Sequence, residues 1–340
     1  MMRLAASVTV MVTLLACLLV SGAGAADLTM LSPYSRNFII DQEVTQRYLA
    51  IVQSLGTGEE LSIRLFGPDV VPPFHQLEPV QAGLFDLVLS PPSYHAGNLP
   101  AAMALGGLSG NAAAWRAAGI WQAIDEMYRR RGLKLLALPQ MGSRSAQITL
   151  REPIGPEGLQ GRKIRGTLTY QPLIRQLKGI PVSLPSHEIY AALERGVIDG
   201  AALGVIGAEH IKIQEVTGFL LRPAFGVVTT VIAMNLTSWS AASAEHRQQL
   251  LRAGRMLEDE IPSRIDELAQ AEQTLLLASG MALTHAGDEM AESFDLWYAR
   301  GMWQFALQHG GAEARELYER AAQAGLLVES PDALSGLARE

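Results

Sequence analysis

One short basic segment contains the residues of this chain best suited to bind an anion. Residues 159–166, LQGRKIRG, bring Arg162, Lys163 and Arg165 close together in the sequence. If KIR forms a strand, Arg165 lies where that strand turns toward a helix, the edge at which open α/β sheets place their ligand crevice. A guanidinium there offers planar, paired donors that match a carboxylate, and it keeps its charge. The alternative is an arginine on a solvated strand end, the usual position of long charged side chains.

The sequence carries no specific enzyme signature. Its seven histidines are scattered, and none belongs to an H-x-x-x-H or H-E-x-x-H pattern. The glycine patterns of nucleotide-phosphate loops and the G-x-S-x-G element are absent as well. We therefore expect no catalytic residue, no metal site and no cofactor. An exported enzyme remains the competing hypothesis, because an acid/base pair distant in sequence leaves no motif; Glu188, Asp199 or His187 would have to supply it.

The first 26 residues have the pattern of a secretory signal peptide. One arginine near the start precedes a long apolar run, and small residues ending in Ala23-Gly24-Ala25 follow. Two alternatives are a membrane anchor, for which the apolar run is at the lower limit of length, and a lipoprotein signal at Cys17. Cleavage would place the mature chain in the periplasm without direct membrane insertion.

Cysteine content and charge limit the function further. Cys17 is the single cysteine, so a mature chain without it has no disulfide, no thiol nucleophile and no thiolate metal site. The formal net charge is -7 and the isoelectric point is near 5.6. Both values argue against nucleic acid or an anionic membrane surface as the main partner.

The elements that must position Arg165 alternate between strands and helices. Apolar runs such as LSIRLF (61–66) and FDLVLS (85–90) indicate strands, and helical periodicity follows, with one helix expected over 112–131. The alternation restarts after a Gly/Pro-rich cluster at 153–161, which indicates two α/β units. Beyond residue 240 the sequence predicts long amphipathic helices.

The segment 161–235 resembles the solute-binding subunits of TRAP (tripartite ATP-independent periplasmic) transporters, the DctP family. The shared pattern is L-x-G-x-K-hydrophobic-R, then a helix, G-x-x-P, E-hydrophobic-Y-x-A-L-x-x-G and hydrophobic-D-G. It is carried here by Leu159, Gly161, Lys163, Ile164, Arg165, Gly179, Pro181, Glu188, Ile189, Tyr190, Ala192, Leu193, Gly196, Ile198, Asp199 and Gly200. Segments before and after it, including VIAMNLTSW, fit the family as well.

The resemblance implies a two-domain α/β fold of the type II periplasmic-binding-protein class. A ligand cleft would lie between the domains, and a long C-terminal helix would bridge both. The expected limits are 27–150 plus about 229–265 for domain I, and 151–228 plus about 266–340 for domain II, after the signal peptide at 1–26. The implied function is capture of an organic acid by hinge closure and its delivery to the small and large membrane subunits of the transporter. A sensor that presents its ligand to a receptor is a third possibility.

The resemblance also assigns roles to individual residues. In the family, the arginine of the K-hydrophobic-R strand pairs with the ligand carboxylate, which implies that role for Arg165. A second arginine in an upstream G-x-R element often assists, and Arg144 is the candidate here. Tyr94 and Ser93, after the buried strand 85–90, are candidates for the pocket wall of the first domain. Tyr190 is expected in the core.

Two departures from the family pattern fall on the second-domain side of the expected pocket. The family commonly has Gln-Glu-Asn-Pro after D-G, with an asparagine that binds the ligand; Leu203 stands in its place here. Ser186 replaces a residue that is often aromatic, and it could also cap the helix that follows. We therefore expect Leu203 and Ser186 to line the pocket and to favour a monocarboxylate with an apolar body. The sequence identifies neither the acid, nor a co-bound metal, nor the oligomeric state.

Overall fold

A computed structural model describes residues 26–56 and 61–328 of this chain. Residues 1–25, which hold nearly all of the predicted signal peptide including Cys17, lie outside the described residues. No helix within the described residues is both long and apolar enough to cross a membrane.

Two sheets organise the described part of the chain. The strands are β1 (Ala26–Leu31), β2 (Leu61–Phe66), β3 (Leu87–Ser90), β4 (Leu133–Ala137), β5 (Ala146–Leu150), β6 (Lys163–Arg165), β7 (Ile180–Val182), β8 (Gly200–Gly204), β9 (Phe219–Phe225), β10 (Val231–Asn235) and β11 (Ala282–His285). The first sheet has the order β2-β1-β3-β10-β4, and the second has the order β11-β9-β5-β8-β6-β7. We call each sheet with its covering helices a lobe, the first lobe and the second lobe.

Helices cover both sheets. They are α1 (Arg47–Ser54), α2 (Leu77–Gln81), α3 (Ala112–Ala117), α4 (Ile120–Arg129), α5 (Gln171–Gln176), α6 (Ile189–Glu194), α7 (Leu236–Ala241), α8 (Ala244–Ala278), α9 (Asp288–Glu292), α10 (Phe294–His309) and α11 (Gly311–Gln323). A π-helical segment, Asp41–Gln46, precedes α1, and 3₁₀ helices occur at Pro73–His75, Pro92–Tyr94, Pro100–Gly107, Ser186–Glu188 and Ile213–Glu215.

Local sequence explains where several of these elements begin and end. One helix was expected over 112–131, but the structure has two, α3 and α4. Gly119 lies between them and adopts φ 72°, which interrupts the helical backbone. Asn111 caps α3 by accepting a hydrogen bond from the Ala114 N–H. Ser243 caps α8 in the same way through the His246 N–H, at 3.1 Å. These caps satisfy backbone donors that the first helical turn leaves without partners.

Both sheets mix parallel and antiparallel pairs. β1 runs parallel to β2 and β3, whereas β10 is antiparallel to β3 and β4. In the second sheet β6 is parallel to β7 and β8, whereas β5 is antiparallel to β8 and β9. The strands β3, β4, β5 and β10 are buried along their whole length, and of these only β4 lies at the edge of its sheet.

Up to β11 the chain crosses between the lobes at three places. It passes from β4 to β5, returns from β9 to β10, and crosses again along the 35-residue helix α8. Leu250 and Leu257 of α8 belong to the apolar core of the first lobe, whereas Leu276 belongs to a core cluster of the second. The expected long bridging helix is therefore α8.

Two of the expected domain limits differ from what the strands and helices show. β5 pairs within the second sheet, so the first crossing lies between 137 and 146 and not at 150. Within the span 266–340, expected in domain II, α10 and α11 pack largely on the Pro100–Gly107 helix of the first lobe. The Trp303 indole N–H, for example, donates to the Gly107 carbonyl at 2.8 Å. The helices α10 and α11 therefore pack on the first lobe, where Trp303 is buried.

Candidate functional site

A cavity is lined by residues of both lobes, and the space between these residues, part of which is open solvent, is about 760 Å³. Its walls are formed by the segments that follow the carboxyl ends of β1, β3, β6 and β8, together with the two strand crossings and α8. This edge of an α/β sheet is where ligands bind, because the chain leaves the strands there and side chains converge.

Arg165 is the last residue of β6, and its side chain reaches this cavity. It is only 3% exposed. Its Nε donates to the Leu184 carbonyl and its Nη1 to the Ala202 carbonyl, both at 2.8 Å. Among the described residues no carboxylate forms a salt bridge with Arg165. The backbone therefore fixes the guanidinium in place while its positive charge has no anionic partner.

Three tyrosines surround the guanidinium. Tyr34 follows β1, Tyr94 follows β3 and Tyr170 follows β6, and all three line the cavity. Burial raises the pKa of each phenol, well above its usual value for Tyr34 and to about 12 for Tyr170. For Tyr94 the neighbouring Arg165 and Ser186 oppose this rise, but burial outweighs them. The phenols therefore stay neutral near pH 7 and act as hydrogen-bond donors.

Hydroxyl groups complete the polar part of the wall. Ser93 of the first lobe donates to the Thr167 hydroxyl of the second lobe at 3.4 Å. The cavity is also lined by Ser145, Thr169, Ser186 and Thr230. The Ser93 contact and the approach of Tyr94 to Arg165 both join one lobe to the other, which is the arrangement of a closed cleft.

The rest of the wall is apolar. Leu203 belongs to β8, Ile206 follows that strand, and Ile265 comes from α8. The apolar side chains on the wall are Phe38, Ile40, Pro91, Met141, Ile189, Leu203, Val205, Ile206, Ile211, Val228 and Ile265. No Asp, Glu, Lys or His and no second Arg lines the cavity among the described residues. Arg165 is thus the one charged group on the described wall.

A buried histidine supports the turn that carries Ser93 and Tyr94. His95 Nδ1 lies 2.8 Å from the Ser90 hydroxyl, and Nε2 lies 2.7 Å from the Tyr128 hydroxyl. Burial lowers the pKa of His95 to about 3, so the ring is neutral at physiological pH. Since it does not line the cavity, we assign it a positioning role.

Five of the six site residues expected from the sequence line the cavity: Arg165, Tyr94, Ser93, Leu203 and Ser186. Ser186 does not cap a helix with its side chain, because a 3₁₀ turn at Ser186–Glu188 intervenes before α6. Its hydroxyl lies beside Tyr94 instead.

Arg144 lies elsewhere. Its guanidinium is exposed and forms an ion pair with Asp295, with Nη2 2.8 Å from Oδ2. The other oxygen of Asp295 accepts the Gly226 N–H, so this carboxylate is fixed beside the second strand crossing. Ser145 lines the cavity in place of Arg144. The ion pair with Asp295 holds the Arg144 side chain on the exterior, away from the cavity.

Tyr190, expected in the core, is only partly buried, and its hydroxyl donates to Glu215 at 2.9 Å. The residues named for the competing enzyme hypothesis also lie away from the cavity. His187 and Glu188 are exposed, and Asp199 accepts the Lys163 N–H at 2.7 Å. None of the three lines the cavity, so that hypothesis loses the acid/base pair that it named.

Sequence reasoning missed Tyr34, Phe38 and Tyr170. Each lies in the segment that follows a strand, β1 for the first two and β6 for Tyr170. An aromatic residue in such a segment of an α/β sheet is the signal that could have identified it. The aliphatic wall gave no such signal, because core and cavity isoleucines have the same sequence pattern.

Comparison with known proteins gives relatives of one kind. The chain is 29% identical over 183 residues to the ectoine-binding periplasmic protein TeaA of Halomonas elongata, which covers 51% of this chain and 53% of TeaA. It is 25% identical over 194 residues to a solute-binding protein of Albidiferax ferrireducens, covering 54% and 56%. The matched segments span about half the length of these curated relatives.

Solved structures share the fold over most of the chain. DctP7 of Bordetella pertussis, an extracytoplasmic solute receptor binding pyroglutamic acid, has a TM-score of 0.74 at 15% identity, covering 87% of this chain and 99% of the other. A TRAP periplasmic solute-binding protein of Desulfovibrio salexigens with bound orotic acid has a TM-score of 0.76 at 17% identity, covering 88% and 99%. These likenesses confirm the expected two-domain fold.

The model of one protein family, described as bacterial extracellular solute-binding protein, family 7, matches residues 110–297. This match covers more than half of the chain and includes the LQGRKIRG segment, β6 and Arg165. The chain therefore belongs to the DctP family of bacterial extracellular solute-binding proteins.

Proposed function

We propose that this protein is the periplasmic solute-binding subunit of a TRAP transporter and that its ligand is a monocarboxylic acid with an uncharged, apolar body. The observation that carries the proposal is the buried guanidinium of Arg165, which lines the cavity without a carboxylate partner among the described residues.

The ligand is expected to be an anion because a buried charge without a counter-ion is costly. Two backbone carbonyls accept hydrogen bonds from Arg165, but neither of them neutralises it. A carboxylate would accept the remaining N–H groups in a charge-assisted contact. The neutral phenols of Tyr34, Tyr94 and Tyr170 would add donors around the same oxygens.

The ligand is expected to carry a single negative charge. A second carboxylate would need its own cation, and no other charged side chain lines the described cavity. An ammonium group would need an anion, which the wall also lacks. Burying either group without a partner is unfavourable, so dicarboxylates and amino acids should bind weakly.

The ligand body is expected to be apolar because most of the wall beyond the polar cluster is aliphatic. Leu203, where the family commonly has a ligand-binding asparagine, removes one polar contact from this part of the cavity. Relatives differ in what their names state: TeaA is named for ectoine, and the Desulfovibrio structure contains orotic acid. Membership of the family therefore does not identify the acid, and we infer the ligand class from the charges and shape of the cavity wall.

Capture would proceed by closure of the two lobes over the acid. Arg165 belongs to the second lobe and Tyr94 to the first, so an anion held by both favours the closed arrangement. The membrane subunits of the transporter would then receive the ligand from the closed form.

Binding can be tested by thermal shift and calorimetry with matched ligands. A panel of monocarboxylic acids of increasing size, such as 4-methylpentanoate, is compared with the corresponding amides, with leucine and with 3-methylglutarate. We expect stabilisation by at least one monocarboxylate and little by its amide, leucine or the dicarboxylate. Equal stabilisation by acid and amide would contradict the anion site, and tighter binding of leucine would contradict the uncharged body.

The role of Arg165 is tested by Arg165→Ala, with Arg144→Ala as the matched control on the exterior. We expect the first variant to lose the acid-induced stabilisation and the second to keep it. Undiminished stabilisation of Arg165→Ala would overturn the central assignment. Uptake of the acid into vesicles that contain the two membrane subunits, measured with and without this protein, tests the transport role separately.

A further inference from the structure

We propose that Phe38 of the first lobe closes the cavity by packing on Gly207 of the second lobe, and that this contact sets how long a bound ligand is retained. We call this pair the closing contact. The inference rests on the proposed function for the identity of the ligand, but the contact itself is defined by the structure alone.

The closing contact joins two segments that are distant in sequence. Phe38 lies between β1 and the π-helical segment Asp41–Gln46, and Gly207 follows β8. Both residues line the cavity, and Phe38 is 9% exposed. The ring is therefore part of the wall and at the same time buried against the opposite lobe.

The fit at Gly207 leaves no room for a side chain. A Cβ at this position would lie 2.6 Å from Phe38 Cζ and 3.1 Å from its Cε2. Gly207 also has φ 95°, a conformation that favours glycine. The ring thus packs directly on the backbone of the second lobe, at a distance that any larger residue would prevent.

Aromatic contacts hold the ring from both lobes. Tyr34 of the first lobe stacks on Phe38 with ring centroids 5.5 Å apart, and His210 of the second lobe meets it edge-on at 5.3 Å. Opening of the lobes would leave the Tyr34 contact intact and break those with Gly207 and His210. Phe38 is therefore a first-lobe residue whose burial depends on closure.

The segment that receives the ring is fixed to α8. The Glu272 carboxylate of α8 accepts the N–H groups of Gly207 at 2.6 Å, Ala208 at 2.7 Å and Glu209 at 3.3 Å. Three backbone donors on one carboxylate hold this segment in a single position. Phe38 consequently packs on a rigid segment. A clash at this contact would therefore shift the lobes relative to each other.

The expected consequence is kinetic. A ligand that leaves the cavity requires opening, and opening exposes the Phe38 ring to water, which is unfavourable. Loss of the closing contact should therefore raise the open population and the dissociation rate of the acid, by about tenfold for each 1.4 kcal/mol of lost closure free energy. Arg165 and its carbonyl partners would be unchanged.

The test compares Gly207→Ala with Gly280→Ala. Both glycines have nearly equal left-handed φ values, 95° and 98°, but nothing lies within 4 Å of a Cβ at Gly280. The pair separates backbone strain from the clash with Phe38. The double variant Phe38→Ala/Gly207→Ala and the single Phe38→Ala complete a double-mutant cycle.

Two quantities are measured on each variant that keeps a cooperative unfolding transition. One is the dissociation rate of the best monocarboxylate, by stopped-flow fluorescence. The other is the distance between the lobes, by electron spin resonance with labels at Gln53→Cys and Arg195→Cys, which lie on exposed surfaces of the first and second lobe. The distance measurement is made with and without acid.

We expect Gly207→Ala to lengthen the distances and to raise the dissociation rate about tenfold or more, whereas Gly280→Ala changes neither. In the double variant the added methyl group should have no further effect, because the ring it would meet is gone. Equal behaviour of the two glycine variants, or additive effects in the cycle, would overturn the inference.

Failure of the proposed function gives a different result. If no acid binds but the unliganded wild type has a closed population that Gly207→Ala removes, the closing contact stands and the ligand class is wrong. A wild type with no closed population, with or without acid, would overturn the closing contact.

Discussion

The two lobes contribute different kinds of wall to the cavity. The second lobe supplies Arg165, fixed by backbone carbonyls at the end of β6, together with Ser186 and Leu203. The first lobe supplies aromatic residues from the loops after β1 and β3, namely Tyr34, Phe38 and Tyr94. The second lobe thus carries the charge that would select an anion, whereas the first carries the rings and phenols that cover it. Recognition and closure are divided between the lobes, and substitutions can test this division.

The largest expected effect is that of Arg165→Lys in the second lobe. Lysine keeps the charge but cannot donate to Leu184 and Ala202 and still present a planar fork to a carboxylate. We expect affinity for the best monocarboxylate to fall about a hundredfold, measured by calorimetry. Arg175→Lys, on the surface of the same lobe, is the control and should bind normally. A loss smaller than threefold, roughly 0.6 kcal/mol, would show that geometry at this position matters little.

The free energy of unfolding should depend on pH through His95 of the first lobe. Its pKa is lowered by burial to about 3, whereas the unfolded chain protonates near 6.5. The unfolded state therefore binds the additional proton between these values, and stability falls as pH is lowered from 6.5 toward 3. Over this range His95 is expected to lower the free energy of unfolding by about 1.4 kcal/mol for each pH unit.

The contribution of His95 is measured by denaturant unfolding, as the difference in the free energy of unfolding between wild type and His95→Gln at several pH values. His75→Gln, at an exposed position, is the matched histidine control. Parallel stability curves for wild type and His95→Gln between pH 4 and about 6.5 would contradict a neutral buried ring.

A change of ligand preference is expected from Leu203→Asn. An amide in the aliphatic wall should weaken binding of an apolar monocarboxylate about tenfold, because the amide is left without a partner. It should strengthen binding of an acid with a hydroxyl group on its body. Leu203→Met keeps the wall apolar and should retain the wild-type preference. Calorimetry with a matched pair of hydroxylated and unsubstituted acids measures both effects, and an unchanged ratio of affinities would place Leu203 away from the ligand body.

The smallest expected effect is that of Ser186→Ala. The Ser186 hydroxyl lies beside Tyr94 across the cleft, so its removal costs one polar contact between the lobes in the closed form. We expect affinity to fall about fivefold, corresponding to ~1 kcal/mol. Ser183→Ala, exposed on the preceding segment, should bind as the wild type does. An effect as large as that of Arg165→Lys would mean that the contact between the lobes contributes as much to binding as the Arg165 guanidinium does.

The predictability of each site residue depends on whether its position follows from a local sequence pattern. Arg165 could be predicted because its recognition depends on a local pattern, a basic strand followed by a helix and by the E-hydrophobic-Y-x-A-L-x-x-G element. Arg144 has an equally suggestive local sequence, but its direction depends on the path of the chain between β4 and β5 and on Asp295 from α10. No pattern within a few residues of Arg144 contains that information. Phe38 was missed for a related reason, since its partners Gly207 and His210 come from the other lobe.

The amino-acid sequence by itself determined the alternation of strands and helices, the long amphipathic helix that became α8 and the family resemblance that singled out Arg165. These properties arise from periodicity, capping and local motifs, which act over short stretches of chain. Only the tertiary structure decided that β5 joins the second sheet, that Arg144 faces the exterior and that the cavity wall contains a single described charge. Those outcomes depend on contacts between segments far apart in sequence, and the free energy of packing, rather than local preference, selects them.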